Sequence, residues 1–270
     1  MGDGRVLLPI PDRPQYFALV DPAGSNSRLV VFVHGFNGKP VGTWRRFDDG
    51  SGAGAWWSES DAVFIGYDSL RREVGSVADE VLAFVRAAML AGPLPGIASS
   101  YRELVLVGHS LGGVVVRSAV QLALRERRMQ HVAVGAGDDA VLDARVVLFS
   151  PATSGFGPKG LLGLARATSI WLAVNPLLKM SPAFHDLNRD TVRLDDLRHE
   201  TEAAARSHPG LRALRPDVLW ADPDHVVYTD QYSTDPPPRW ARRRSHSNVC
   251  KPAPGRYETP WRFVESGTAR

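Results

Sequence analysis

The sequence predicts an α/β fold in which a mostly parallel central sheet is flanked by helices. Three observations carry this expectation. Short runs rich in β-branched residues alternate with longer amphipathic runs, as in chains whose parallel strands are joined by crossover helices. Several of the short runs are apolar at every position, which suits strands covered on both faces. One of them passes through a glycine-rich turn straight into an apolar segment of helical period. With 270 residues, 44% apolar and 23% charged, the chain is read as one domain over residues 1–270, long enough to bury its own core without staples.

The elements follow in order. Residues 15–20 read as an edge strand ahead of the turn Asp21, Pro22, Ala23, Gly24. Residues 28–33, RLVVFV, form a buried strand, and residues 62–67, AVFIGY, form the next. Ser76, with Asp79 three residues on, resembles a capping box. Val77, Val81, Phe84, Val85 and Ala88 then recur at helical spacing until Gly92 and Pro93 stop the helix. LVLV at 104–107 is a strand, and residues 111–128 are a helix whose apolar first half suits burial on most sides. RVVLF at 145–149 and VLWA at 218–221 complete the strands. Residues 155–210, helix-rich and apolar in their first half, read as a helical lid inserted between those two strands.

Charge and cysteine content exclude several classes. The formal net charge is +3, and the basic residues are not interleaved with any nucleic-acid-binding module, so no nucleic-acid partner is expected. The run Arg239, Arg242, Arg243, Arg244, with Trp240, reads as a solvated charge run, with a site for an anionic headgroup or phosphate-bearing substrate as the alternative. A single cysteine, Cys250, leaves no disulfide framework and no cysteine zinc site, and neither metal nor cofactor is expected. Residues 1–13 lack the apolar core of a secretory signal, and Val6 stands where a myristoylation signal wants Ser or Thr. The most apolar stretch, 161–178, is broken by Arg166, Asn175 and Pro176, which argues against a membrane span. A cytoplasmic location is the resulting expectation. Nothing in the sequence fixes an oligomeric state.

The chemistry-bearing motif is Gly108-His109-Ser110-Leu111-Gly112, followed by Gly113. It lies between a strand and a helix, where a sharp turn lifts a serine hydroxyl above the sheet and sets it at a helix N-terminus. Such a turn needs glycines where side chains would collide, here Gly108, Gly112 and Gly113. His109 reads as a packing residue or as a support behind the residues that do the chemistry. After the strand 28–33 comes His34-Gly35-Phe36-Asn37-Gly38. The backbone N–H groups of Phe36 and Leu111 are the candidate donors to a developing oxyanion, and His34 and Gly35 would hold the loop beneath them.

A serine nucleophile needs a base, and the base needs an acid to orient it. With chain order nucleophile, acid, histidine, the acid should follow a late strand. Asp224, just after VLWA, fits best, with Asp222, Asp230 and Asp235 as alternatives. Only His225 and His246 follow Asp224. His225 adjoins it and cannot easily reach across to Ser110, so His246 in the polar segment RSHSN is the candidate base.

VFVHGFNG at 31–38, Thr43-Trp44, LVGHSLGG at 106–113 and SHSNVCKP at 245–252 together resemble the α/β-hydrolase superfamily, in its lipase-like serine esterase branch. The resemblance covers residues 28–155 and 215–264. It implies an eight-stranded, mostly parallel sheet and hydrolysis of a carboxylic ester, lipids included, through an acyl-enzyme on a Ser110, Asp224, His246 triad. Thioester hydrolysis or acyl transfer would use the same triad, and a non-catalytic binding protein on this fold is the reading from another class. The chain departs from the branch at Ser150-Pro151-Ala152-Thr153-Ser154-Gly155, where Ala152 stands for a histidine. The apolar lid suggests an acyl-chain site or transient contact with a membrane surface.

Overall fold

The computed structural model describes residues 4–47, 54–97, 101–130, 139–155 and 192–268. Eight strands form one sheet: β1 Val6–Ile10, β2 Arg13–Val20, β3 Arg28–Val33, β4 Ser60–Ile65, β5 Glu103–His109, β6 Arg145–Phe149, β7 Asp217–Asp222 and β8 Arg239–Arg242. Their spatial order is β1-β2-β4-β3-β5-β6-β7-β8. The pairs β1–β2 and β2–β4 are antiparallel, and all others are parallel. In register, Val31 of β3 lies between Val63 of β4 and Leu106 of β5. These central strands are apolar at nearly every position because both faces are covered.

Six helices accompany the sheet among the described residues: α1 Ala55–Ser58, α2 Val74–Ala91, α3 Leu111–Met129, α4 Ala140–Asp143, α5 Val192–Ser207 and α6 Thr259–Ser266. On one face, aliphatic residues of α2, α3 and α4 pack on Val31, Val63 and Leu106. The other face is aromatic. Phe32 stacks on Phe64 with ring centroids 5.1 Å apart and meets Trp44 and Phe47 at 5.0 Å each. Trp57 and Phe263 of α6 extend that layer. Burying one such side chain stabilises the fold by about 1.5–3 kcal/mol, so this layer is a principal anchor of the sheet. Trp44 and Trp57 are therefore core residues. Trp56 is only partly buried and stacks on Trp57.

The structure shifts several boundaries. β4 occupies 60–65 rather than 62–67, because the chain turns off at Gly66, whose N–H donates to the Gln15 carbonyl at 3.0 Å. The helix expected to start after Ser76 starts at Val74, and Glu73 before it makes no side-chain cap. The Ser76 hydroxyl instead accepts from Arg72 at 2.9 Å. β1 and β8 were not expected. β8 runs through the basic segment: its backbone pairs with β7 while Arg239, Trp240 and Arg242 face solvent. Of the expected lid at 155–210, residues 156–191 lie outside the described residues. Residues 192–207 form α5, which joins α3 through the Gln121 amide donating to Thr201 Oγ1 at 3.2 Å. Among the described residues, no helix is long and apolar enough to cross a membrane, and no cluster of side chains suits a metal ion.

Candidate active site

Ser110 sits between the end of β5 and the start of α3 with φ 53° and ψ −122°, a conformation that non-glycine residues rarely adopt. Three backbone hydrogen bonds hold it there. Its N–H donates to the Phe149 carbonyl on β6 at 3.0 Å, and its own carbonyl accepts from Gly113 and Ala152, each at 3.0 Å. The neighbouring chain passes so close that Gly112 tolerates no side chain: a Cβ there would stand 2.1 Å from the Val33 carbonyl oxygen. A Cβ on Gly108 would stand 2.7 Å from the Gly113 Cα, and one on Gly113 would stand 2.6 Å from the Pro151 Cβ.

The loop after β3 wraps the other side of Ser110. A Cβ on Gly35 would lie 2.7 Å from the Ser110 Cβ and 2.9 Å from the His109 carbonyl oxygen, so this loop approaches the serine as near as backbone can. His34 fixes its path. Nδ1–H donates to the Gly35 carbonyl at 2.7 Å, Nε2 accepts from the Tyr67 N–H at 3.2 Å, and the Tyr67 hydroxyl donates to the His34 carbonyl at 2.8 Å. The rings of His34 and Tyr67 stack at 4.5 Å. Burial pushes the His34 pKa down to about 4, so the neutral tautomer drawn by these bonds persists at ordinary pH. Phe36 fronts the same cleft as Ser110, and Leu111 follows Ser110 as the first residue of α3.

Asp224 lies in the loop that leaves β7, and His246 follows β8. The Arg243 N–H, donating to the Asp222 carbonyl at 2.7 Å, ties the two strand ends together. His246 Nδ1 and Asp224 Oδ2 are 2.9 Å apart, with the Asp224 side chain fully buried. Asp224 Oδ1 accepts from the N–H groups of Val226 and Val227 at 2.9 and 3.2 Å. Burial alone would raise the Asp224 pKa. The bond and charge of His246, the Val226 N–H and the Ser150 hydroxyl outweigh it and hold the carboxyl below its usual range. His246 Nε2 and Ser110 Oγ are both buried, and among the described residues neither has a hydrogen-bond partner, each other included. Both residues front one cleft of about 270 Å³, lined also by residues 35–39, Ser247 and Lys251.

The other acids go elsewhere. Asp222 is exposed at the end of β7. Asp230 lends its backbone carbonyl to Ser154 Oγ at 3.1 Å. Asp235 is buried in an ion pair with Arg117 of α3, whose guanidinium also lies 4.1 Å over the Tyr232 ring.

No protein-family model matches the chain, and no curated protein sequence matches it. Solved structures do. Est1E from Butyrivibrio proteoclasticus superposes with a TM-score of 0.53 at 14% identity, over 97% of this chain and 96% of that one. The peroxisomal α/β-hydrolase Lpx1 from Saccharomyces cerevisiae gives 0.52 at 13% identity, over 97% of this chain and 86% of that one. MGS-MChE2, an α/β-hydrolase enzyme from the metagenome of lagoon sediments at Mar Chica, Morocco, gives 0.51 at 15% identity, over 90% of each chain. This chain has the α/β-hydrolase fold.

Within the α/β-hydrolase fold, His109, Ser150, Lys251 and Cys250 also surround the site, and the sequence leaves their contacts open. His109 donates from Nε2 to the His246 carbonyl at 2.8 Å, and the two rings lie 4.9 Å apart. Burial, with the His246 charge, pushes the His109 pKa down to about 3. Ser150 accepts from the Ala221 N–H at 2.9 Å while its hydroxyl reaches Asp224, bridging β6 and β7 under the acid. Its positive φ of 40° is not written in any local motif. Lys251, in the Lys251-Pro252 pair of the SHSNVCKP segment and one of only four lysines, fronts the same cleft as His246. Cys250 is buried, its thiol pushed up to about 12 by burial, and its Sγ points to the Thr43 carbonyl.

Proposed function

We propose that the chain is a serine hydrolase that cleaves carboxylic esters. The observation that supports this reading is the hydrogen bond joining Asp224 to His246, with His246 and the strained Ser110 fronting the same cleft. In this mechanism His246 Nε2 takes the Ser110 proton as Oγ attacks the ester carbonyl carbon. The resulting oxyanion is met by the N–H groups of Phe36 and Leu111, on a loop and a helix start that need no rearrangement. The carbonyl collapses, the bond to the alcohol oxygen breaks, and His246 returns its proton to that oxygen. Water then attacks the acyl-enzyme, giving its proton to His246. The second collapse releases the acid and restores Ser110. Asp224 stays ionised throughout and holds His246 in the tautomer that presents Nε2 to the serine.

A fluorophosphonate probe with mass-spectrometric site mapping tests the reading. Covalent label is expected on Ser110 in the native chain and nowhere in Ser110→Ala. Label of equal yield in Ser110→Ala would remove Ser110 as nucleophile, and the ester-hydrolase reading with it.

A further inference from the structure

Two lysines line the cleft. Lys39 ends the loop that wraps Ser110, and Lys251 follows the turn that carries His246. Among the described residues, none that fronts the cleft is acidic. The carboxylate nearest the chemistry, Asp224, is fully buried and committed to His246. Among the described residues, neither lysine has an ion-pair or side-chain hydrogen-bond partner. Arg13, Arg28, Arg86 and Arg117, by contrast, each meet a carboxylate.

The placement of the two charges is built rather than incidental. The Lys39 N–H donates to Thr43 Oγ1 at 3.0 Å, closing the loop on itself. Its aliphatic stem runs past Gly42, where a Cβ would stand 3.4 Å from the Lys39 Cβ and 3.7 Å from its Cδ. Lys251 is half-buried, and its N–H donates to the Asn248 carbonyl at 3.1 Å, within the same turn as His246. Its charge reaches the inner wall of the site, where it disfavours protonation of His109. The chain has only four lysines, and the two within the described residues are these. An ammonium is a compact point charge with three rotatable donors, suited to carboxylate or phosphate oxygens without a fixed fork geometry.

A concave site with two positive charges and no compensating acid concentrates anions. A neutral ester leaves both ammonium groups to be served by solvent alone. We propose that the cleft takes an ester carrying an anionic group, a carboxylate or a phosphate, which Lys39 and Lys251 hold while the ester carbonyl lies at Ser110. This rests on the ester-hydrolase reading. At about 270 Å³ the cleft suits a short acyl group with its anion, below the usual range of about 300–1,000 Å³ for drug-sized ligands.

The test compares three esters on the full chain: p-nitrophenyl butyrate as the neutral reference, mono-p-nitrophenyl glutarate with a carboxylate on the acyl side, and butyryl glycerol 3-phosphate with a phosphate on the alcohol side. One anionic ester is expected to exceed the neutral one by about tenfold or more in kcat/KM at low salt, the arm that does so naming the anion. In Lys39→Met/Lys251→Met that ratio should fall toward one. Sodium chloride should compress the ratio in the native chain by screening the two ammonium groups. Thermal melting reports that the double variant is folded. A native ratio at or below one on both arms overturns the proposal, as does a ratio that the double variant leaves unchanged. Fluorophosphonate labelling of the native chain separates the two failures. Label on Ser110 without anion preference sinks only this proposal, and absence of label sinks both.

Discussion

His109 Nε2 donates to the backbone carbonyl of His246 at 2.8 Å, so the residue beside the nucleophile grips the residue proposed as its base. The ring is buried and edge-on to Trp44, with centroids 6.3 Å apart, which leaves it no alternative rotamer of similar packing. The grip fixes where the main chain of His246 lies, while Asp224 fixes how its ring turns.

His109→Phe keeps an aromatic ring of similar size and removes the donor. The unpaired carbonyl and the freer main chain should lower kcat of ester hydrolysis by about tenfold, the equivalent of about 1.4 kcal/mol for one lost buried hydrogen bond. KM should change little, since His109 acts through His246. His109→Gln can still donate and should recover part of the loss. Steady-state kinetics on both variants decides the matter, and a Gln variant as impaired as Phe would remove the hydrogen bond as the cause.

The two buried neutral histidines set an acid limit on stability. His34 is held near 4 and His109 near 3, and an unfolded histidine titrates near about 6.5. Between those values the unfolded chain binds the protons and the folded chain does not, so stability falls as pH drops from about 6.5 towards 4. Each histidine contributes a slope of up to about 1.4 kcal/mol per pH unit. Urea denaturation at pH 7, 6 and 5 should show the midpoint declining over this range. Above pH 7 neither histidine contributes a slope.

Asp224→Asn and Asp235→Asn should fail in different ways. Asp224→Asn loses the charge that orients and stabilises His246, and kcat should fall by about 10⁴ with the fold retained. Asp235→Asn leaves the Arg117 guanidinium buried without its counter-charge. Stability should drop by about 3–5 kcal/mol, measured by urea denaturation. A loss of activity in Asp235→Asn as deep as in Asp224→Asn, at undiminished stability, would contradict the assignment of roles.

Backbone approach makes two glycines sensitive to a single methyl. Gly35→Ala forces the loop off the Ser110 Cβ and the His109 carbonyl, so activity should fall more than 100-fold with a smaller loss in Tm. Gly112→Ala drives a methyl into the Val33 carbonyl at the crossing of α3 and β3, where no flexible side chain can yield. It should give little soluble protein, read as expression yield against the native chain.

What the sequence discloses follows the range of the interactions involved. β3, β5 and β6 are legible because burial on both faces writes an unbroken apolar run. The turn at Ser110 is legible because its glycines are local. β1 is hidden by Pro9 and by Leu7 and Leu8, which stay exposed on an edge. β8 is hidden because its pairing is a backbone matter, while Arg239 and Arg242 advertise a solvated segment. The acids were the hardest case. Asp222, Asp224, Asp230 and Asp235 crowd one loop region, and composition cannot tell which one turns toward His246. The decision is made at a distance: Arg117, on the nucleophile helix, claims Asp235, and Ser150, from β6, supports Asp224.

The sheet order has a consequence for the chain as it is made. Ser110 acquires its strained geometry once Phe149 of β6 accepts its N–H, but Asp224 and His246 arrive only with the segments beyond β7 and β8. A chain emerging N-terminus first therefore carries an elbow with no base for much of its synthesis. Under the proposed mechanism Ser110 needs the far edge of the sheet to become nucleophilic, so capture of a covalent serine probe is expected to count finished molecules and pass over partial ones.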